Sequence, residues 1–253
     1  MIAFLGNLSR DLIAGEPRVG GGPFHAARAA RRLGEKVTIV GRCAARDRDE
    51  LLGAMAAFDA SATVVPGDST AGFEISYAGD IRSMGVLELG DVWRPAELPT
   101  LPVETRWVHL APLTRGDFPA ETVERLAAGF EVSFDGQGLV RPRRTGVLVL
   151  DDAFDRHLLH HVRMLKLSDE EAEAVGDIGA LGVPEIVVTH GSRGATVYAE
   201  GRIEHVPAVP LPVDPTGSGD MFSLGYVAER SAGADPFEAA RRATGMVAAV
   251  LAA

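Results

Sequence analysis

Asp214-Pro-Thr-Gly-Ser-Gly-Asp220-Met-Phe222 is the stretch on which the reading of this chain turns. Gly217, Ser218 and Gly219 stand between two carboxylates, and an apolar segment of helical character, Met221 to Ala228, follows at once. Small residues entering a helix can aim several backbone N–H groups at one point, at the positive end of the helix dipole. Two glycines bracket the serine, and backbone approaches a ligand closely only where side chains are absent. Asp220 is placed beside the anion such a cradle would hold. Anion cradle plus adjacent base is what phosphoryl transfer to an alcohol requires. A tight turn before a helix, with Asp220 as a dipole-favoured first-turn acid, is the plainer account of the same residues.

Working outward, short apolar runs alternate with amphipathic stretches. Residues 36–40, 107–110, 131–134, 147–150, 164–167 and 185–189 read as buried strands; 24–33, 48–58, 119–128, 154–161 and 169–175 read as helices. That alternation predicts βα units on a mainly parallel sheet, whose ligands gather at the carboxyl ends of the strands. Two regions break the rhythm. Residues 71–89 predict a β-hairpin around Ala78-Gly-Asp80, either a flap or an ordinary edge. Residues 186–206 predict an antiparallel meander. Asp235, Pro236 and Glu238 mark the start of a last helix running to the chain end.

The chain has 253 residues, 46% hydrophobic, with a formal net charge of −10. That suffices for one large domain, and an acidic surface argues against nucleic-acid or membrane partners. One cysteine, Cys43, excludes an internal disulfide. With no signal-peptide pattern at the start and no long apolar run, a cytoplasmic protein is expected.

Other constellations have plain alternatives. Gly20-Gly-Gly22 before Pro23 is on its own a turn; it lacks the Lys and Ser/Thr of a P-loop. Ser168 and Glu171 have capping-box spacing, which alone accounts for both. His157, His160 and His161 share a helical spacing without a carboxylate or cysteine to complete a metal set.

Taken in order, these segments resemble the ribokinase-like (PfkB) carbohydrate kinase family along nearly the whole chain. Gly6-Asn-Leu-Ser-Arg-Asp11 resembles the family's opening strand and substrate-binding Asp. Gly20 to Gly34 resembles its first signature, GG…N…A…LG. Lys166 to Glu171 resembles K-x-N-x-x-E, Val188 to Gly194 resembles T-x-G-x-x-G, and Asp214 to Asp220 resembles D-T-x-G-A-G-D. The resemblance implies a three-layer α/β/α sandwich, a single domain over 1–253, with a mainly parallel central sheet and a small β lid near 8–16 and 69–92. It implies an ATP-dependent kinase acting on an alcohol of a small sugar or cyclitol, with a nucleoside as the alternative acceptor. Asp220 would be the base, and Gly217, Ser218 and Gly219 would donate to the phosphoryl group. Asp11, Gly21, Gly22 and His25 would hold the acceptor. Thr189, Gly191, Gly194 and Thr216 would lie near ATP. Glu171 would organise Mg2+ through water, and Asp214 with Thr216 matches positions that bind a monovalent cation such as K+ in some members. The lid implies a homodimer.

Three departures accompany the match. His25 stands where the family has Asn, so the acceptor need not be ribose. Ser168 replaces Asn in K-x-N-x-x-E, which touches metal organisation. The chain is also short for the family, so a trimmed adenine pocket, or a nucleotide held differently, is expected. Two rival classes fit the residues less well. A sugar or nucleotide sensor would have lost base or cradle, and an oxidoreductase needs GxGxxG after its first strand.

Overall fold

A computed structural model describes residues 1–58, 61–78, 81–209 and 217–252. In chain order its strands are β1 (Ile2–Asn7), β2 (Ser9–Ile13), β3 (Glu16–Gly20), β4 (Val37–Ala44), β5 (Ala62–Gly67), β6 (Gly72–Ala78), β7 (Ile81–Glu88), β8 (Trp107–Ala111), β9 (Glu131–Asp135), β10 (Gly146–Val147), β11 (Met164–Ser168), β12 (Glu185–Thr189), β13 (Ala195–Ala199) and β14 (Arg202–Val206). Its α-helices are α1 (Gly22–Leu33), α2 (Arg48–Ala56), α3 (Ala120–Ala127), α4 (Gln137–Val140), α5 (Asp169–Val175), α6 (Ser218–Ala232) and α7 (Pro236–Ala252).

Nine strands form the large sheet in the order β14-β13-β12-β11-β9-β8-β1-β4-β5. It is parallel from β5 to β12, and β13 and β14 add the antiparallel meander. All six residues of β1 are buried. Ile2 and Phe4 pack into the cluster holding residues of α1, α2, α6 and α7, while Ala3 and Leu5 pack into the cluster holding residues of α3 and α5. Period-two alternation thus feeds two cores on opposite faces, which makes an α/β/α sandwich.

The second sheet, β10-β7-β6-β2-β3, is the mixed lid. Its β2–β3 hairpin is inserted between β1 and α1, so the lid carries Asp11 and returns the chain at Gly20, just before the α1 N-terminus. At its other base, Asp91 accepts from the N–H groups of Asp68 and Ser69, and Asn7 accepts from the Trp93 indole.

The structure corrects two expectations. Residues 147–150 are no buried strand. Direct pairing of β9 with β11 closes that slot in the large sheet. The segment instead edges the lid, β10 pairing with β7 while Val147 stays 79% exposed. Leu148 and Leu150 turn inward between exposed Val147 and Val149, the alternation of a half-buried edge. Residues 154–161 give a 3₁₀ helix over Arg156–His161, capped by Asp155. Short 3₁₀ segments serve as connectors, and this one leads directly into β11. β5 carried no sequence signal that we read. The 79–80 turn of the hairpin lies outside the described residues. No helix among the described residues is long and apolar enough to cross a membrane.

Candidate functional site at two helix N-termini

Two glycine-led helices start at one place. Gly21 caps α1 at φ 92°, and Gly217 caps α6 at φ 79°; both values lie where L side chains are strained. A Cβ on Gly22 would stand 3.4 Å from Asp220 Oδ1 and 2.3 Å from the Ala111 Cβ. A Cβ on Gly217 would stand 2.8 Å from His25 Nδ1. The α1 start, the α6 start, His25 and Asp220 therefore converge, with both helix dipoles positive toward the same point. Asp11 reaches the same region from the lid. Its Oδ1 accepts the Phe73 N–H at 3.2 Å, and its Oδ2 fills the space a Cβ on Gly20 would need.

Beside this point lies a cluster of buried charge supplied by strand ends and helix starts. Lys166 from β11 pairs with Asp135 from β9 at 3.4 Å. Lys166 Nζ also lies 3.3 Å from where a Cβ on Gly219 would be, against the cradle itself. Glu171, at the first turn of α5, is buried with them. Desolvation pushes the Asp220 carboxyl up to about 7; Asp135 adds to the shift, and Lys166 and Arg141 oppose it. The Asp220 residue still meets solvent in part, so this base is reachable. Burial works against the Lys166 ammonium, yet Asp135, Glu171 and Asp220 outweigh it and hold its pKa above the ordinary range. Burial, with help from Arg28, lowers His25 to about 4, so its imidazole is neutral near pH 7. Among the described residues the buried His25 Nδ1 has no hydrogen-bond partner, so it is open to one from outside the chain. Burial likewise raises Asp11.

The residues expected near ATP sit at the end of β12 and in the turn after it. Thr189 Oγ1 donates to the Leu167 carbonyl at 3.1 Å. A Cβ on Gly194 would meet the Val206 carbonyl oxygen at 2.0 Å, so the approach of β14 already demands glycine there. Gly191 faces open space. The turn they form is tied to α5 through Asp169, which takes both His190 and Arg193. Asp214 and Thr216 lie outside the described residues.

Ser168 and Glu171 form a full capping box, with Glu171 Oε2 accepting the Ser168 N–H at 2.8 Å. Among the described residues no group of three or more His, Cys, Asp or Glu side chains could hold a metal ion. That donor set does not build a protein cage. A magnesium ion held by donor phosphates and water would ask of the protein only an outer carboxylate, a place the buried Glu171 would take. Sequence reasoning passed over Asp135, Lys166 and Arg141 as site residues. The first two stand at the carboxyl ends of parallel strands, a signal that would have found them. Arg141, in an irregular connection, carried none.

The pfkB family carbohydrate kinase pattern matches residues 155–252. The inositol 3-kinase of Zea mays is 34% identical over 146 residues, covering 53% of this chain and 36% of that protein. The cytidine kinase of Thermococcus kodakarensis is 26% identical over 234 residues, covering 85% of this chain and 81% of that protein. A pyrophosphate-dependent kinase in the ribokinase family, complexed with a pyrophosphate analog and myo-inositol, superposes with a TM-score of 0.86 at 22% identity, covering 100% of this chain and 95% of that one. The match to the maize protein thus spans about a third of its length, and the structural likeness establishes the fold.

Proposed function

We propose, on the premise that this chain belongs to the PfkB (ribokinase-like) family of carbohydrate kinases, that it transfers a phosphoryl group to a hydroxyl of a small cyclitol or sugar. One observation carries the reading: Asp220 Oδ1 lies against Gly22, so a carboxylate raised to about 7 shares one point with two helix N-termini.

In this reading Asp220 takes the acceptor proton, and a positioned base of matched pKa contributes about 10²–10⁴ in rate. The amides of Gly217, Ser218 and Gly219 hold the transferring oxygens, each preorganised donor contributing roughly 10²–10³. Asp11, Gly21, Gly22 and His25 position the acceptor, and the unpartnered His25 Nδ1 takes one of its hydroxyls. Thr189, Gly191 and Gly194 line the nucleotide, and Thr216, outside the described residues, is assigned to it by the motif alone. Glu171 would orient water on a Mg2+ ion bound with the donor, whose chemistry would be charge neutralisation on the phosphates, and Asp214, outside the described residues, would belong to a monovalent-cation site. Closure of the lid over the acceptor excludes water as a competing nucleophile.

ATP is the donor implied by the 188–194 motif. Pyrophosphate is the second reading, favoured by the likeness to a pyrophosphate-dependent kinase over 100% of this chain. A nucleoside is the second acceptor class, favoured by the 85% coverage of the match to a cytidine kinase and by the Phe24–His25 ring pair at 5.5 Å. Exposed Leu87 and Val147 on the lid sheet suit a second copy; a monomeric mass in solution excludes that dimer.

The test crosses ATP and pyrophosphate with myo-inositol, hexoses, 2-keto-3-deoxy sugar acids and nucleosides, with magnesium, and follows the phosphorylated product. Turnover of a cyclitol or sugar is expected. Turnover confined to nucleosides reverses the acceptor ranking, and ligand binding without turnover in any combination leaves the sensor reading in its place.

A further inference from the structure

The turn over residues 190–194, between β12 and β13, closes on itself through its backbone. The His190 N–H donates to the Gly194 carbonyl at 2.7 Å, and the N–H groups of Arg193 and Gly194 donate to the His190 and Gly191 carbonyls, each at 3.2 Å. At Gly191 the turn is bare: a Cβ there would meet no described atom within 4 Å.

Elsewhere the turn is fastened, and His190 does most of the fastening. Its Nδ1 bonds the carboxylate of Asp169 in the first turn of α5, and its Nε2 lies 2.8 Å from Thr196 Oγ1 on β13. A carboxylate accepts, so Nδ1–H donates, which in the neutral ring leaves Nε2 to accept the Thr196 O–H. One imidazole thus joins the turn to α5 and to β13 with both ring nitrogens used. Its side chain is only 19% exposed, which shields these bonds from water. Asp169 also takes Arg193 at 2.7 Å. The hairpin itself does not need this line. Five residue pairs from Glu185↔Ala199 to Thr189↔Ala195 already set the β12–β13 register. What the ladder leaves open is where the turn sits relative to α5, the helix whose start carries Glu171, and the line Asp169–His190–Thr196 settles it. A ligand at the bare face then meets backbone that is already ordered.

Resting on the kinase reading above, we propose that His190 is a positioning residue for the nucleotide: through Asp169 and Thr196 it holds the 189–194 backbone in the placement that accepts ATP or ADP. It acts through the turn and touches no reacting atom. The amides of Gly217, Ser218 and Gly219 belong to a different element and take phosphate without this turn. His190 therefore governs nucleotide affinity and leaves pyrophosphate affinity alone, which makes it a determinant of donor choice.

The test compares wild type with His190→Ala, Thr196→Val and the double variant after melting curves show all three folded. Valine keeps the branched shape that suits β13 and removes the hydroxyl. Calorimetric titrations with ADP and with inorganic pyrophosphate need no turnover. We expect ADP binding to weaken about tenfold in each single variant. The double variant should bind ADP no more weakly than His190→Ala alone, because the two side chains act as one unit, and pyrophosphate affinity should stay within about twofold throughout. Where the wild type turns over with ATP, the ATP KM should rise while kcat stays within about threefold. Unchanged ADP affinity in His190→Ala overturns the proposal, and so do an equal loss for pyrophosphate, full additivity in the double variant, or a wild type that binds no ADP. A wild type that binds ADP yet phosphorylates nothing refutes the kinase reading, and the ADP titration still judges His190.

Discussion

Helix α6 has buried charges at both ends, about 22 Å apart at 1.5 Å per residue, and the two ends are built oppositely. At its C-terminal end Glu185, 1% exposed, is fully engaged. It accepts from the Tyr226 hydroxyl at 2.9 Å, from Arg230 at 3.0 and 2.7 Å, and from Arg163 at 3.1 Å. An open hollow of about 550 Å³, lined in part by Arg106, Trp107, Arg163 and Arg230, adjoins it. Two of those arginines are already spent on Glu185. At the N-terminal end Asp135, Glu171 and Asp220 share one buried lysine, and no hydrogen bond or ion pair holds the Asp220 carboxylate among the described residues. Satisfied charge holds a fold in place; unbalanced charge at a cavity is kept for a ligand. The hollow adjoins the end whose charges are satisfied, and the accounting of partners is what distinguishes the two ends.

Asp220→Asn breaks the N-terminal end. We expect kcat/KM to fall about 10²–10⁴-fold, with the melting temperature unchanged or higher. A carboxyl raised to about 7 binds its proton more readily folded than unfolded. The ionised form therefore costs stability above the unfolded value of 3.8, and Asn removes that cost. A thermal melt at pH 8 beside steady-state rates checks both halves.

Glu185→Ala breaks the other end with the opposite signature. Leaving Arg230 and Tyr226 without their shared acceptor should cost about 3–5 kcal/mol in denaturant unfolding, while kcat per folded molecule stays within about twofold. Equal effects of the two substitutions on stability would erase the contrast.

Gly22→Ala sharpens the claim that two helix starts meet at one point. The added methyl would sit 2.3 Å from the Ala111 Cβ and close to Asp220 Oδ1. Overpacking should cost about 1–3 kcal/mol and lower kcat, both readable from melts and rates.

The pH profile follows from the same imbalance. The acidic limb of kcat/KM should fall near pH 7, where Asp220 loses its proton. Asp135→Asn removes a negative neighbour and should move that limb to lower pH. Lys166→Met removes a positive one and should move it higher. A limb indifferent to both would deny that Asp220 titrates in this cluster. A last effect concerns buried imidazoles. Burial lowers His25 and His109 to about 4 from the ordinary 6.5, so the folded state binds fewer protons than the unfolded. Stability should then be lost as pH falls from about 6.5 through about 4, and restored in part by His109→Gln, measured by melts across that window.

Much of this was legible before any coordinates. Short, nearly continuous apolar runs specified β8, β9, β11 and β12, because parallel strands buried on both faces carry apolar side chains on successive residues. Asp235 caps α7 as its spacing implied, accepting from the N–H groups of Phe237 and Glu238 at 2.9 Å. Residues 147–150 misled because four apolar residues do not say which sheet receives them. That depends on whether a slot is open between neighbours, and β9 pairs with β11 directly.

The sequence alone determined the local chemistry: glycines where two helices begin, an acid in the first turn of α6, and the alternation that makes an α/β/α sandwich. Those properties reside in a few consecutive residues and need no distant partner. Only the tertiary structure decided that Gly22 faces Asp220, that Lys166 lies against the α6 start, and that His25 Nδ1 is left without a partner among the described residues. Burial and Coulomb interaction depend on distances across the fold, between residues that can be more than a hundred positions apart in the chain, and no local pattern encodes them.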